Sequence, residues 1–107
     1  MNQEITAAEG RYMALIKSMK CLICKRFPEL DRGLPVEVHH LRTGSGQNNW
    51  LVAPLCGNNG DGGHHRGAGG LHLMGSKAFV SLYHVPHGTE YGLLAWVHED
   101  LGWKAAA

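Results

Sequence analysis

The sequence predicts a small α+β domain with little strand, held together by bound metal. Three observations point there. The chain has 107 residues, enough for one domain but only a thin core. It carries three Cys and eight His, most of the His close to the Cys in sequence. Its apolar pattern reads helix, strand, strand, glycine-rich segment, helix, helix. We divide it into an N-terminal helical part over 1–20, a metal knuckle and two-strand core over 21–75, and C-terminal helices over 76–103, all within one domain.

Thr6-x-x-Glu9 has the form of a capping box. Behind it Tyr12, Met13, Leu15, Ile16 and Met19 recur at helical spacing, so a helix is expected from about Ala7 to Met19. "CLIC" follows, then a polar turn, "KRFPELDRGLP". "VEVHHLR" and "WLVAPLC" have strand composition, and "TGSGQNN" between them reads as a loop. After Gly75 the pattern turns helical: Ser76 is the expected N-cap of "KAFVSLYH". "PHG" breaks the chain, and "TEYGLLAWVHEDL" makes a final amphipathic helix. The three Trp are expected to pack rather than stack on bases, and His84, His87 and His98 to lie on the surface. The terminal "KAAA" carries no signal.

The formal net charge is +1, which announces no nucleic-acid partner by itself. From Arg11 to Arg42, however, seven Lys/Arg face three acids, a local +4 compatible with a phosphate-bearing partner. No apolar run reaches the roughly 18 residues of a membrane span, and the N-terminus lacks the order of a signal peptide. A cytoplasmic, reducing setting is therefore expected, and there clustered Cys bind metal more often than they form disulfides.

Cys21-x-x-Cys24 can grip one tetrahedral ion from a tight knuckle. Cys56 is the only other thiol, and the fourth ligand is expected from His64 or His65, across glycines that let the chain double back. A structural Zn2+ in a site of three Cys and one His follows. Adjacent strand residues point to opposite faces, so His39 and His40 have different jobs. His39, His65 and His72 can be proposed as one imidazole set around a second ion: if the chain is helical after His65, seven residues is nearly two turns, and a kinked glycine segment could also bring them together. That leaves His40 to handle protons.

These residues resemble a known family. "VEVHH", an Asn before an apolar strand, "PLC" and "HH…LH" look like the HNH motif of the ββα-metal (His-Me finger) nucleases. "NNWLVAPLC…HHRGAGGLHLMGSKAF" with an upstream C-x2-C is similar to the phage recombination-enhancement (Ref) nucleases, over roughly Cys21 to Phe79. The resemblance implies a ββα-metal site with structural zinc and DNA cleavage directed by a RecA filament in a bacterial host. It implies His40 as general base, His39, His65 and His72 as ligands of the catalytic divalent ion (Mg2+, or Mn2+ or Zn2+), and Asn49 or its neighbour Asn48 as the group that orients the base. Cys21, Cys24, Cys56 and His64 match the structural zinc ligands, although His64 stands where many relatives carry a second Cys. Arg42 and Arg66 flank the two His elements and are candidates to hold phosphates. The alternative function is a zinc-stapled nucleic-acid-binding module with a vestigial nuclease site.

Overall fold

In the computed structural model, described over residues 5–42, 47–58 and 60–103, two antiparallel strands are packed round by short helices. The order is α1 (Ala7–Lys17), α2 (Leu22–Arg26), a 3-10 turn (Pro28–Leu30), β1 (Val36–His40), β2 (Val52–Cys56), α3 (Gly63–Arg66), α4 (Leu71–Met74), α5 (Ser76–Tyr83), a 3-10 turn (Pro86–Gly88) and α6 (Gly92–Asp100). No helix among the described residues is long and apolar enough to cross a membrane. Part of the expected loop at 43–49, and the terminal "KAAA", lie outside the described residues.

α1 starts where the capping box places it: the Glu9 N–H donates to Thr6 Oγ1 at 3.1 Å, and the Thr6 N–H to Glu9 Oε1 at 2.9 Å. It ends at Lys17, before the expected Met19, because the Ser18 hydroxyl donates back to the Leu15 carbonyl at 2.6 Å. The start of α5 also differs from expectation. Gly75, at φ +87°, is the N-cap, and the Ser76 hydroxyl instead donates to Glu90 Oε1 at 2.8 Å.

β2 is the spine. All five of its residues are buried, and α1, α2, α3 and α6 pack against it. A strand covered on both faces needs no polar alternation, which explains the continuous apolar run. Register pairs Val36 with Cys56 and His40 with Val52. Ile16, Leu22, Ile23, Leu55, Leu71, Phe79, Leu93 and Val97 complete the core. Trp96 packs as expected, under the Arg26 guanidinium at 4.4 Å from its ring centre. Trp50 and Trp103 also pack, but at the surface: each is 48% exposed and rests on Tyr12, with ring centres 5.3 and 6.2 Å away.

The local positive charge of the front half is largely paired. Lys20 meets Asp31, Arg32 meets Asp61, and Arg42 meets Glu90. Lys25 and Arg26 both bind Asp100 at 2.9 Å, tying α2 to α6. Burial pushes the Asp100 carboxyl up, but Arg26 and Lys25 outweigh it and hold it below the usual range. Asp100→Asn is expected to cost about 1–3 kcal/mol, the scale of a charge-assisted contact left without its partner. A depressed folded-state value stabilises above the ordinary carboxylate range and fades as pH falls. Urea unfolding should therefore show a wild-type advantage that is steady from about pH 7 to 5 and narrows below about pH 4.

Candidate metal centres

Cys21 caps α2, Cys24 lies within it, Cys56 ends β2 and His64 lies in α3. All four are buried, and one ligand atom from each lies within 4.8 Å of the rest. The three cysteines are free thiols. His64 Nδ1 is 3.6 Å from Cys21 Sγ, 3.5 Å from Cys24 Sγ and 3.2 Å from Cys56 Sγ, and the sulfurs of Cys24 and Cys56 are 3.7 Å apart. Tetrahedral zinc, with Zn–S of about 2.3 Å and Zn–N of about 2.0 Å, sets S···S edges near ~3.8 Å and S···N edges near ~3.5 Å. The four side chains thus form a cage of the right chemistry and size for zinc.

The thiol chemistry agrees. A hydrogen bond with Cys21, opposed by burial and aided by His64, lowers Cys56 to about 4. The same contact and burial drive Cys21 up, and burial pushes Cys24 to about 11. Three sulfurs this close cannot all be thiolates unless a cation neutralises them, which is what a metal supplies.

Glycine places His64. Gly63 has φ +55°, and a Cβ there would lie 2.5 Å from the Cys56 carbonyl oxygen. Any side chain would push α3 off the end of β2. Beyond α3 the chain kinks through 67–70 rather than continuing as one helix, so His65 and His72 meet across a break, not along a helical face. A Cβ on Gly70 would lie 2.5 Å from the Gly63 carbonyl oxygen, so this fold-back too requires a bare backbone. The Tyr83 hydroxyl holds it from α5 by donating to the Gly69 carbonyl at 2.7 Å.

His39, His65 and His72 form the second cluster, their ligand atoms likewise within 4.8 Å of one another. His39 Nε2 lies 2.8 Å from Glu90 Oε2, and His65 Nδ1 lies 3.0 Å from Glu37 Oε1. Burial raises both carboxyls, but their hydrogen bonds win: Glu90 is held down at about 2, chiefly by His39, and Glu37 is lowered by His65 and Arg66. Burial lowers both imidazoles. Ionised carboxylates only accept, so His39 carries its proton on Nε2 and His65 on Nδ1. Their bare nitrogens, His39 Nδ1 and His65 Nε2, then face each other at 3.2 Å. Two lone pairs so placed repel, and a cation between them removes the conflict. Tetrahedral Zn–N geometry would separate two such nitrogens by ~3.3 Å.

Glu90 and Glu37 are the residues that sequence reasoning missed. Each fixes a histidine's tautomer, as outer partners of metal ligands do. Glu37 was legible, since it lies two positions before His39 and thus on its strand face. Glu90, 8% exposed, comes from beyond α5, and no local pattern marks it. It also accepts from the Arg42 N–H at 2.9 Å and from Arg42 Nε at 3.3 Å. Arg66 Nη2 donates to Glu37 at 2.7 Å.

His40 lies apart from this cluster. Its Nε2 faces the amide oxygen of Asn49, an acceptor, at 2.9 Å, and Nδ1 lies on the other side of the ring. Asn49, not Asn48, reaches it, because the Asn48 side chain accepts the Trp50 N–H at 2.9 Å and builds the turn instead. His84, His87 and His98 are exposed.

Removal of a tightly held structural ion should unfold the domain. Elemental analysis is expected to find zinc that survives dialysis, and Cys56→Ser to lose it together with the cooperative thermal transition. For the second cluster, Glu90→Gln should weaken divalent-ion affinity on the order of 10- to 100-fold, read by calorimetry on zinc-loaded protein.

Comparison with protein-family models, with curated proteins and with solved structures finds no match to this chain.

Proposed function

We propose that this protein is a metal-dependent endonuclease of HNH type that hydrolyses DNA phosphodiester bonds. One observation carries the reading: the two clusters differ in closure. The set of three cysteines and His64 has four ligands, all buried. The three-histidine set is graded from buried His39 through half-buried His65 to exposed His72. Structural zinc sites are closed, whereas catalytic sites keep three protein ligands and a side open to water and substrate. A purely structural role gives no use to the second cluster, nor to a histidine held in one tautomer beside it.

A divalent ion held by the three histidines would supply Lewis-acid chemistry to the phosphodiester. His39, His65 and His72 would hold it, with Glu90 and Glu37 fixing the first two rings. His40, with Nε2 occupied by Asn49, would accept the proton of the attacking water at Nδ1. The 3′ oxygen would leave and the product would carry a 5′-phosphate, as the resemblance to the HNH family implies. Arg42 and Arg66 flank the open side and would meet phosphates with guanidinium groups already oriented by Glu90 and Glu37.

The paired charges of the front half supply little non-specific grip on DNA. That supports low unaided activity on linear duplex and a separate targeting partner, for which a RecA filament fits the Ref-like sequence pattern. The test is nicking of supercoiled plasmid with Mg2+ or Mn2+. His40→Ala should lose on the order of 10²- to 10⁴-fold while keeping its structural zinc. Equal activity of wild type and His40→Ala in a clean preparation would sink the reading in favour of a zinc-stapled binding module. Adding a RecA filament should raise cleavage, and strong cutting without it counts against that partner.

A further inference from the structure

The capping box of α1 holds more than the helix needs. Thr6 engages one carboxylate oxygen of Glu9, Oε1. The other, Oε2, accepts from Nδ2 of Asn49 at 3.2 Å, forty positions along the chain. Asn49 in turn presents Oδ1 to His40 Nε2 at 2.9 Å. Three side chains from α1, the β1–β2 turn and the end of β1 form one directed chain of hydrogen bonds. A primary amide has a donor end and an acceptor end that nearly superpose on rotation, so its orientation is set by its neighbours. A histidine does not choose between them, because a neutral ring can donate or accept at Nε2. A carboxylate does choose, because it only accepts. Glu9 is therefore the polarising end of the chain.

We infer that Glu9 is a positioning residue for the general base: its carboxylate fixes the Asn49 amide so that Oδ1 faces His40, which keeps the His40 proton on Nε2 and Nδ1 bare. The catalytic meaning of this inference rests on the nuclease reading, but the hydrogen-bond chain does not. If the amide turned over, Nδ2 would face His40, the ring would carry its proton on Nδ1, and the nitrogen needed to take a proton from water would be blocked. The N-terminal helix is thus part of the site through one carboxylate.

Glu9→Gln separates this role from capping. Glutamine also serves at this capping-box position, so its amide oxygen can still accept the Thr6 N–H. Its NH2 would then meet the NH2 of Asn49, two donors face to face, and the Asn49 amide should turn over. Long-range 1H–15N correlation of the zinc-loaded protein reads the His40 tautomer directly. Wild type should show the proton on Nε2, and Glu9→Gln should move it toward Nδ1. Plasmid nicking should fall on the order of 10- to 100-fold, as for other outer partners of a working histidine. On an Asn49→Ala background, Glu9→Gln should cost nothing further. Thr6→Ala removes the cap without touching Asn49, so it should lower the melting temperature and leave the tautomer alone.

A wild-type His40 protonated on Nδ1 overturns the inference, as does a Glu9→Gln protein that keeps the wild-type tautomer. So does a Thr6→Ala protein whose tautomer shifts as far as that of Glu9→Gln. If wild type does not nick DNA at all, the nuclease reading falls, while the tautomer measurements still decide what Glu9 does.

Discussion

The contact between Cys56 and His64, 3.2 Å from sulfur to imidazole nitrogen, is the constraint on which the rest of the site depends. Between Ala53 and His72 the chain carries seven glycines, and each has more backbone freedom to lose than any other residue. A segment of that composition cannot order itself by propensity. It is held where β2 ends, by a cluster that also takes in both cysteines of the knuckle. The same cage therefore joins α2, β2 and α3. His65 inherits its position, because it follows the anchored residue directly and α3 turns it toward His39. The doubled histidine links the closed cluster to the open one, and the bare glycine backbone is what allows so abrupt a change of direction.

The two faces of β1 divide the remaining work. Glu37 and His39 share one face and reach α3, α4 and Glu90. His40 faces the other way, to Asn49 and through it to Glu9 on α1. On each face a carboxylate sits one step behind a histidine or its partner and settles where a proton resides. Glu90 does this for His39, Glu37 for His65, and Glu9, at one remove, for His40. The rings are thus presented with defined bare nitrogens before any ligand arrives. Such arrangement in advance is what metal binding and proton transfer both need, since a ring that must first shift its proton loses part of the interaction. Arg42 and Arg66 follow the same pattern: each is oriented by the carboxylate that orients a histidine.

Much of this was legible in the chain. The capping box announces the start of α1, the two strands lie where their composition places them, and the spacing of the Cys and His already points to two clusters while leaving His64 and His65 open between them. Period-two alternation already assigned His39 and His40 to different tasks. Less legible were the ends of elements decided by one side chain's choice of partner. Ser18 turns back on Leu15, and Ser76 bonds Glu90 instead of capping α5. The placing of Trp50 and Trp103 on the surface also escapes a reading by hydrophobicity, because aromatic rings that rest against Tyr12 cover one side and leave the other wet.

By itself the sequence determined the candidate ligand types, their order and the strand faces, and it showed a core thin enough for a cross-link or metal to help. Tertiary structure alone decided that His64 and not His65 completes the sulfur cage, that Asn49 and not Asn48 meets His40, and that Glu90 closes over His39 from the far end of α5. The physical reason is common to all three. Ligand identity is a property of single residues, and strand faces follow from local periodicity. Which of two neighbours turns inward depends instead on backbone angles at Gly63 and on the Asn48 turn, and Glu90 arrives only because α5 packs where it does.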